Sequence, residues 1–201
     1  MNSIHGIRRR PRAAGRRGFT LVDSLCVVVI LAILTSIMMP TLESTQVPTL
    51  ESAARVLAAD LKLARSQAIQ FNTTWSMQFD LAENSYDLVH TGSGAPPPLR
   101  NPLTAASDTS DVYHVEIGHR GFTGRNNLSA RLTSVTLDVS DDDVTEITFG
   151  PLGGTGPARA EDTLIQLEVP AGRRSRVLQM RVSWVTGQVW IGEVMMRDND
   201  A

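Results

Sequence analysis

The chain has 201 residues, 42% of them apolar, and its 19 basic and 21 acidic side chains give a formal charge of -2. That length allows one ordinary domain plus an appended segment, and the single cysteine, Cys26, excludes an internal disulfide. Six arginines (Arg8, Arg9, Arg10, Arg12, Arg16 and Arg17) and no acid lie in residues 1–18, so beyond them thirteen basic residues face 21 acidic ones, and attraction to nucleic acid or anionic membrane is not the default for that remainder.

The first element is the apolar run that follows the arginines. Leu25 to Met39 is uncharged, a length that suits a secretory signal and is short for a spanning helix. Counted from Phe19 to Met39 the run is long enough to span, but it then contains a carboxylate, Asp23. Arginines on the N-terminal flank orient such a helix with its start in the cytoplasm and the bulk of the chain exported. A removed signal peptide requires a small-residue cleavage site, and "SIMMPTLES" offers none. Cys26 reads as a small packing residue of this helix rather than a palmitoylation site. Pro40 removes a helical hydrogen bond and bends the helix or ends its membrane part. Pro48 is a second break or the first position of a new helix.

The stretch "RRGFTLVDSLCVVVILAILTSIMMP" resembles the N-terminus of type IV pilins and type II secretion pseudopilins. The resemblance implies that a prepilin peptidase cuts between Gly18 and Phe19 on the cytoplasmic side and that Phe19 is then N-methylated. Pro40 stands where the family often has a helix-kinking proline. Asp23 takes the place of the family's glutamate, which neutralises the N-terminal amine of a neighbouring subunit. A lone carboxylate in hydrocarbon is costly and usually has a partner. An amine created at Phe19 in the same layer would relieve both burial costs and set the stagger between subunits. Aspartate is one methylene shorter than glutamate, so the contact here departs from the family pattern. The alternative is that Asp23 sits near the headgroups in contact with water.

The next element, Pro48 to Asn72, has the pattern of an amphipathic helix. Leu50, Ala53, Leu57, Leu61, Ala64 and Ala68 recur every three or four residues, while Glu51, Arg55, Asp60, Lys62 and Arg65 fall mostly elsewhere. After Asn72 the pattern shifts to short alternating segments: "TTWSMQFDL", "SYDLVH", "VYHVEIG", "SVTLDV", "TEITFG", "TLIQLEV", "SRVLQMRVSWV" and "GQVWIGEV". Alternation puts Trp75, Met77 and Phe79 on one face, and Leu178, Met180, Val182 and Trp184 on another. His90 to Asp111 is a long loop rich in proline, glycine and serine, expected to be mobile. The predicted class is α+β: a long N-terminal helix, its first half transmembrane, packed on an antiparallel β-rich globular domain.

This half also resembles a family. "AARVLAADLKLARSQAIQFNTTWSMQFD", "ITFGPLGGTG" and "RVLQMRVSWVTGQV", with its turn at Thr186-Gly187, are similar in order and spacing to the soluble domain of the GspH/FimT minor pseudopilins and pilins. The two resemblances divide the chain into a leader (1–18), a transmembrane half-helix (19–41), a periplasmic amphipathic helix (42–72) and a β-rich domain (73–201).

Chemistry is sparse. His5, His90, His114 and His119 have no metal-ligand spacing, and "GPLGGTG" lacks the Lys-Ser/Thr of a phosphate loop and reads as a flexible turn. Asp141, Asp142 and Asp143 offer carboxylates for Ca²⁺ without EF-hand spacing, and an acidic turn is the plain reading. Arg173, Arg174 and Arg176 fall where a hairpin loop is expected and could hold DNA phosphates, against a solvated turn as the plain reading. No enzyme and no cofactor is expected. The resemblance implies a non-enzymatic minor pseudopilin of a type II secretion pseudopilus, single-pass in the inner membrane with its globular domain periplasmic. Its partners would be other pseudopilins or pilins through an N-terminal helix bundle, the prepilin peptidase, the inner-membrane assembly platform and secreted substrate. The alternative is a FimT-like minor pilin that binds DNA in natural transformation.

Overall fold

The computed structural model describes residues 21–38, 46–101, 112–117, 129–155, 160–171 and 174–198. The chain divides into two compact units, Met1–Leu42 and Glu43–Ala201.

In the first unit, α1 spans Leu21–Met38, with Asp23 in its first turn. A carboxylate is favoured there because the first backbone N–H groups have no helical partner and point toward it. Every side chain from Leu21 to Leu34 is exposed, and Asp23 is the one charge in the helix. A helix that is apolar all round needs an apolar environment, protein or lipid, on all sides. Among the described residues no helix is long and apolar enough to cross a membrane. The eighteen residues of α1 reach only about 27 Å against a hydrocarbon core of about 30 Å. Gly18, Phe19 and Pro40 lie outside the described residues.

The second unit is α+β, a helix packed on antiparallel sheets. Helix α2 spans Gln46–Gln70. Pro48 sits in its first turn, where a missing N–H costs nothing. Among the described residues eight strands follow: β1 (Trp75–Asp80), β2 (Ser85–His90), β3 (Tyr113–Glu116), β4 (Arg131–Leu137), β5 (Glu146–Phe149), β6 (Thr163–Ala171), β7 (Arg174–Val182) and β8 (Val189–Asp198). They form two four-stranded sheets, ordered β3-β2-β1-β5 and β4-β6-β7-β8. All the ladders between named strands are antiparallel.

Register lines up rows of core side chains across each sheet. Tyr113, Leu88, Met77 and Ile147 form one row of the first sheet. Leu132, Leu167, Leu178 and Val194 form one row of the second, and Val135, Ile165 and Met180 the next, which ends on exposed Ile191. The stripe of α2 lies over both sheets, with Leu50, Leu57 and Leu61 almost wholly buried. Each such leucine contributes about 1.5–3 kcal/mol by leaving water. Trp75, Met77 and Phe79 share the buried face as their alternation requires. Trp184 does not, because β7 ends at Val182 and Trp184 lies in the following turn, 39% exposed.

Two other expectations change. The segment after β2 is folded onto the domain as far as it is described: Thr91 and Gly92 donate their N–H groups to Thr74 O, and buried Asn101 donates to His114 O. The glycine-rich turn is packed rather than flexible. Gly153 N–H bonds Gly150 O at 2.9 Å, Thr155 N–H bonds Trp184 O at 2.9 Å, and Arg65 of α2 donates to Gly153 O at 3.2 Å. Here three elements meet so closely that Gly187, at φ 65°, has room for no side chain. A Cβ would collide with Gly153 O as well as strain the backbone. Gly187→Ala is expected to lower stability by about 2 kcal/mol or more, read as a fall in thermal midpoint with near-native circular dichroism below the transition. An unchanged midpoint would mean that the turn yields freely.

Candidate functional site

The residues singled out from the sequence are scattered over the described structure. Asp23 is on α1, in the unit separate from the β-rich domain. Asp141, Asp142 and Asp143 are exposed in the turn after β4. Asp141 has φ 57°, a left-handed conformation that Asp tolerates through local hydrogen bonding. Its N–H bonds Leu137 O, and Asp142 O accepts from Leu137 N–H. The N–H groups of Val139 and Ser140, at the tip of this turn, are held by Glu161 Oε2. Arg181 reaches Asp138 at 2.6 Å and Asp162 at 3.9 Å. The turn is thus organised by backbone bonds, one glutamate and one arginine. Among the described residues no three His, Cys, Asp or Glu side chains gather as metal ligands.

Two of the three arginines lie in a strand. Arg173 lies outside the described residues. Arg174 and Arg176 belong to β7, paired with Ala171 and Val169 of β6 and with Asp198 and Met196 of β8. Arg174 Nε bonds Asp198 Oδ1 at 3.0 Å, so part of its charge is already met.

Two histidines are held by neighbours. His114 Nδ1 lies 2.6 Å from Asp87 Oδ1 across the β2–β3 ladder, with Glu116 3.9 Å from its other nitrogen. His90 Nε2 is 2.8 Å from Thr73 Oγ1, whose proton goes to Ser93 O. An open groove of about 540 Å³ runs between the start of α2 and β8, lined by Val47, Glu51, Arg55, Leu178, Ile191, Gly192, Glu193 and Val194. Neither His90 nor His114 lines it.

The residue that sequence reasoning misplaced is Asp60. The pattern groups it with the charges that fall mostly off the apolar stripe, yet it is 6% exposed. Tyr86 donates to its Oδ2 at 2.6 Å and Tyr113 to its Oδ1 at 2.9 Å. Position 60 is three after Leu57 and seven after Ala53, so the helical period itself put it on the buried stripe. Burial raises the carboxyl's pKa, and the two hydroxyl donors offset only part of that. Both phenols are pushed up, first by burial and then by the adjacent carboxylate.

Comparison with known proteins follows the same lines. The profile of a family described as type II transport protein GspH matches residues 53–187, more than half of the chain. Two crystal forms of the Pseudomonas aeruginosa type IV minor pilin FimU are similar in structure. One is 21% identical with a TM-score of 0.40, over 72% of this chain and 88% of FimU. The other is 22% identical with a TM-score of 0.38, over 72% and 93%. No curated protein matches.

The buried carboxylate gives the domain a testable pH response. Because the folded-state pKa of Asp60 lies above its ordinary 3.8, the protonated form is the one the fold prefers. Its contribution is complete below that ordinary value and is lost as pH rises through the folded one. Asp60→Asn keeps a hydrogen-bonding group of similar shape and removes the charge. The variant is expected to gain stability relative to the native protein as pH rises from the ordinary carboxylate range toward neutral. Urea midpoints of both proteins across that range check it, and a pH-independent difference between them would show that Asp60 titrates alike folded and unfolded.

Proposed function

The chain belongs to the GspH family of type II transport proteins, and from that premise we propose that it is a minor pseudopilin, a non-enzymatic subunit of a type II secretion pseudopilus. The observation that carries the reading is a juxtaposition along the chain. A β-rich domain matched by the family over residues 53–187 is preceded by a helix that is apolar on every side and carries one carboxylate, Asp23, in its first turn. A single lipid-facing anchor has no use for that carboxylate, whereas a bundle of such helices does, provided each carboxylate meets a cation.

In this reading the segment from Phe19 to about Thr41 anchors the chain in the inner membrane, with the globular domain periplasmic. The prepilin peptidase cuts after Gly18 and Phe19 is methylated. Asp23 of one subunit then pairs with the Phe19 amine of a neighbour, and Pro40 bends or ends the membrane part. The assembly platform and a separate cytoplasmic ATPase supply the movement, because no nucleotide motif is present in this sequence. The domain presents its surface to other subunits and to secreted substrate.

We infer secretion rather than DNA uptake on electrostatic grounds. The sequence beyond the leader is acidic by eight charges. Of the three arginines considered for phosphate contact, Arg174 is already engaged by Asp198. Non-specific DNA affinity grows with the number of phosphates neutralised and falls with salt, so a weak basic patch on an acidic domain is a poor starting point.

Two measurements test this. Mass analysis of the protein recovered from membranes that contain its prepilin peptidase is expected to show a chain starting at methylated Phe19. Asp23→Ala is expected to reduce incorporation into the pseudopilus, with Asp23→Glu retaining it. A chain starting at Met1, or cut beyond Met39, would remove the pseudopilin reading. Separately, retention of duplex DNA by the full chain in detergent at low salt is expected to be negligible and unchanged by Arg174→Ala/Arg176→Ala. Salt-sensitive retention lost in that double variant would move the assignment to DNA uptake.

A further inference from the structure

The second sheet ends in two very different edges. On the β4 side the edge is capped: Thr136 bridges to Asp143, and Val144 N–H bonds Val135 O at 2.8 Å. On the other side β8 is terminal, and among the described residues no strand pairs with its outer edge. It is ten residues long without lysine or proline, and it exposes Trp190, Ile191, Met195 and Met196 at 49%, 42%, 56% and 63%. Long, open, apolar edges are templates for another strand, which is why folds usually blunt them. A bulge opposite Gln179, at Gly192 and Glu193, interrupts β8, and the segment that runs on from Glu193 pairs regularly with β7 from Val194 to Asp198.

That segment is complementary to itself. Glu193, Met195 and Arg197 alternate with Val194 and Met196 and so share a face. If a second β8 pairs antiparallel with Met195 opposite Met195, Glu193 of each copy faces Arg197 of the other, and Val194 faces Met196. Two ion pairs then flank a methionine contact. A shift of one residue, with Met196 opposite itself, matches Arg197 with Met195 and makes neither pair. Among the described residues neither Glu193 nor Arg197 has an ion-pair partner within its own chain.

We propose that the edge of β8 is a homodimer interface, occupied by β8 of a second copy in the register centred on Met195. The two-fold axis of such a pairing stands perpendicular to the sheet, so the α2 helices of the two copies run in opposite directions.

The test uses the full-length chain with Cys26→Ser, in isolated membranes under mild oxidation. Met195→Cys faces itself across the axis, within the separation a disulfide spans, and is expected to give a disulfide-linked homodimer. Glu193→Cys alone is expected to cross-link no better than Val139→Cys, an exposed collision control, but to cross-link well when mixed with Arg197→Cys. Adding Glu193→Arg to the Met195→Cys chain is expected to lower its yield at least about threefold, as exposed ion pairs turn into repulsions. Further addition of Arg197→Glu should restore it. Cross-linking of Met195→Cys no better than the control, or to a different protein instead of its own copy, would overturn the proposal.

Discussion

The packing of the domain is organised around one buried carboxyl group. The stripe of α2 that covers both sheets contains Asp60 among Leu57, Leu61 and Ala64, and an ionised group there costs several kcal/mol unless it is hydrogen-bonded. Tyr86 of β2 and Tyr113 of β3 meet its two oxygens. Those tyrosines reach it only while Tyr113 lies opposite Leu88 and Tyr86 opposite Val115, so the register of the first sheet and the rotation of the helix are set together. Turning α2 by one residue, about 100°, would strand the carboxylate and both hydroxyls. Further along the same half of the helix, Arg65 bonds the Gly153 carbonyl through its guanidinium, in the turn that Gly187 also abuts. Both anchors tie α2 to elements that are far from it in sequence.

With the core arranged this way, many charges on the outside are committed to one another. Arg181 lies between Asp138 and Asp162, Arg174 meets Asp198, and His114 is paired with Asp87. Among the described residues two exposed apolar surfaces stand out, the circumference of α1 and the open edge of β8. A subunit that works by packing against other chains needs surfaces of this sort, and the family to which the chain belongs is one of transport proteins. The two surfaces differ in specificity. An apolar helix is adhesive in any rotation unless a polar group such as Asp23 selects one, whereas a strand edge is directional because its hydrogen bonds and side-chain period permit few registers.

Much of the fold was legible because it rests on local periods. The six positions of the α2 stripe and the location of each of the eight strands were legible from spacing alone, since side-chain alternation and helical recurrence are properties of neighbours in sequence, although β8 runs four residues past its predicted segment. Where the reading went astray, the deciding contact was distant. Asp60 was grouped with charges lying mostly off the stripe, because its two tyrosines lie 26 and 53 residues away. The turn at Gly150 looked flexible, because its partners are Arg65 and the carbonyl of Trp184. Arg174 and Arg176 looked like loop residues until their pairing with β6 and β8 placed them within a strand.

The sequence by itself determined the α+β class, the apolar helix with its lone Asp23, the buried stripe and the faces of the strands, all of which follow from short-range chemistry. It also carried the order of motifs by which the family is recognised. Only the tertiary structure decided which charges are neutralised, which glycines are hemmed in and which strand is left at an open edge. Each of those depends on groups brought together across the chain, and no local period encodes which segment will arrive opposite which.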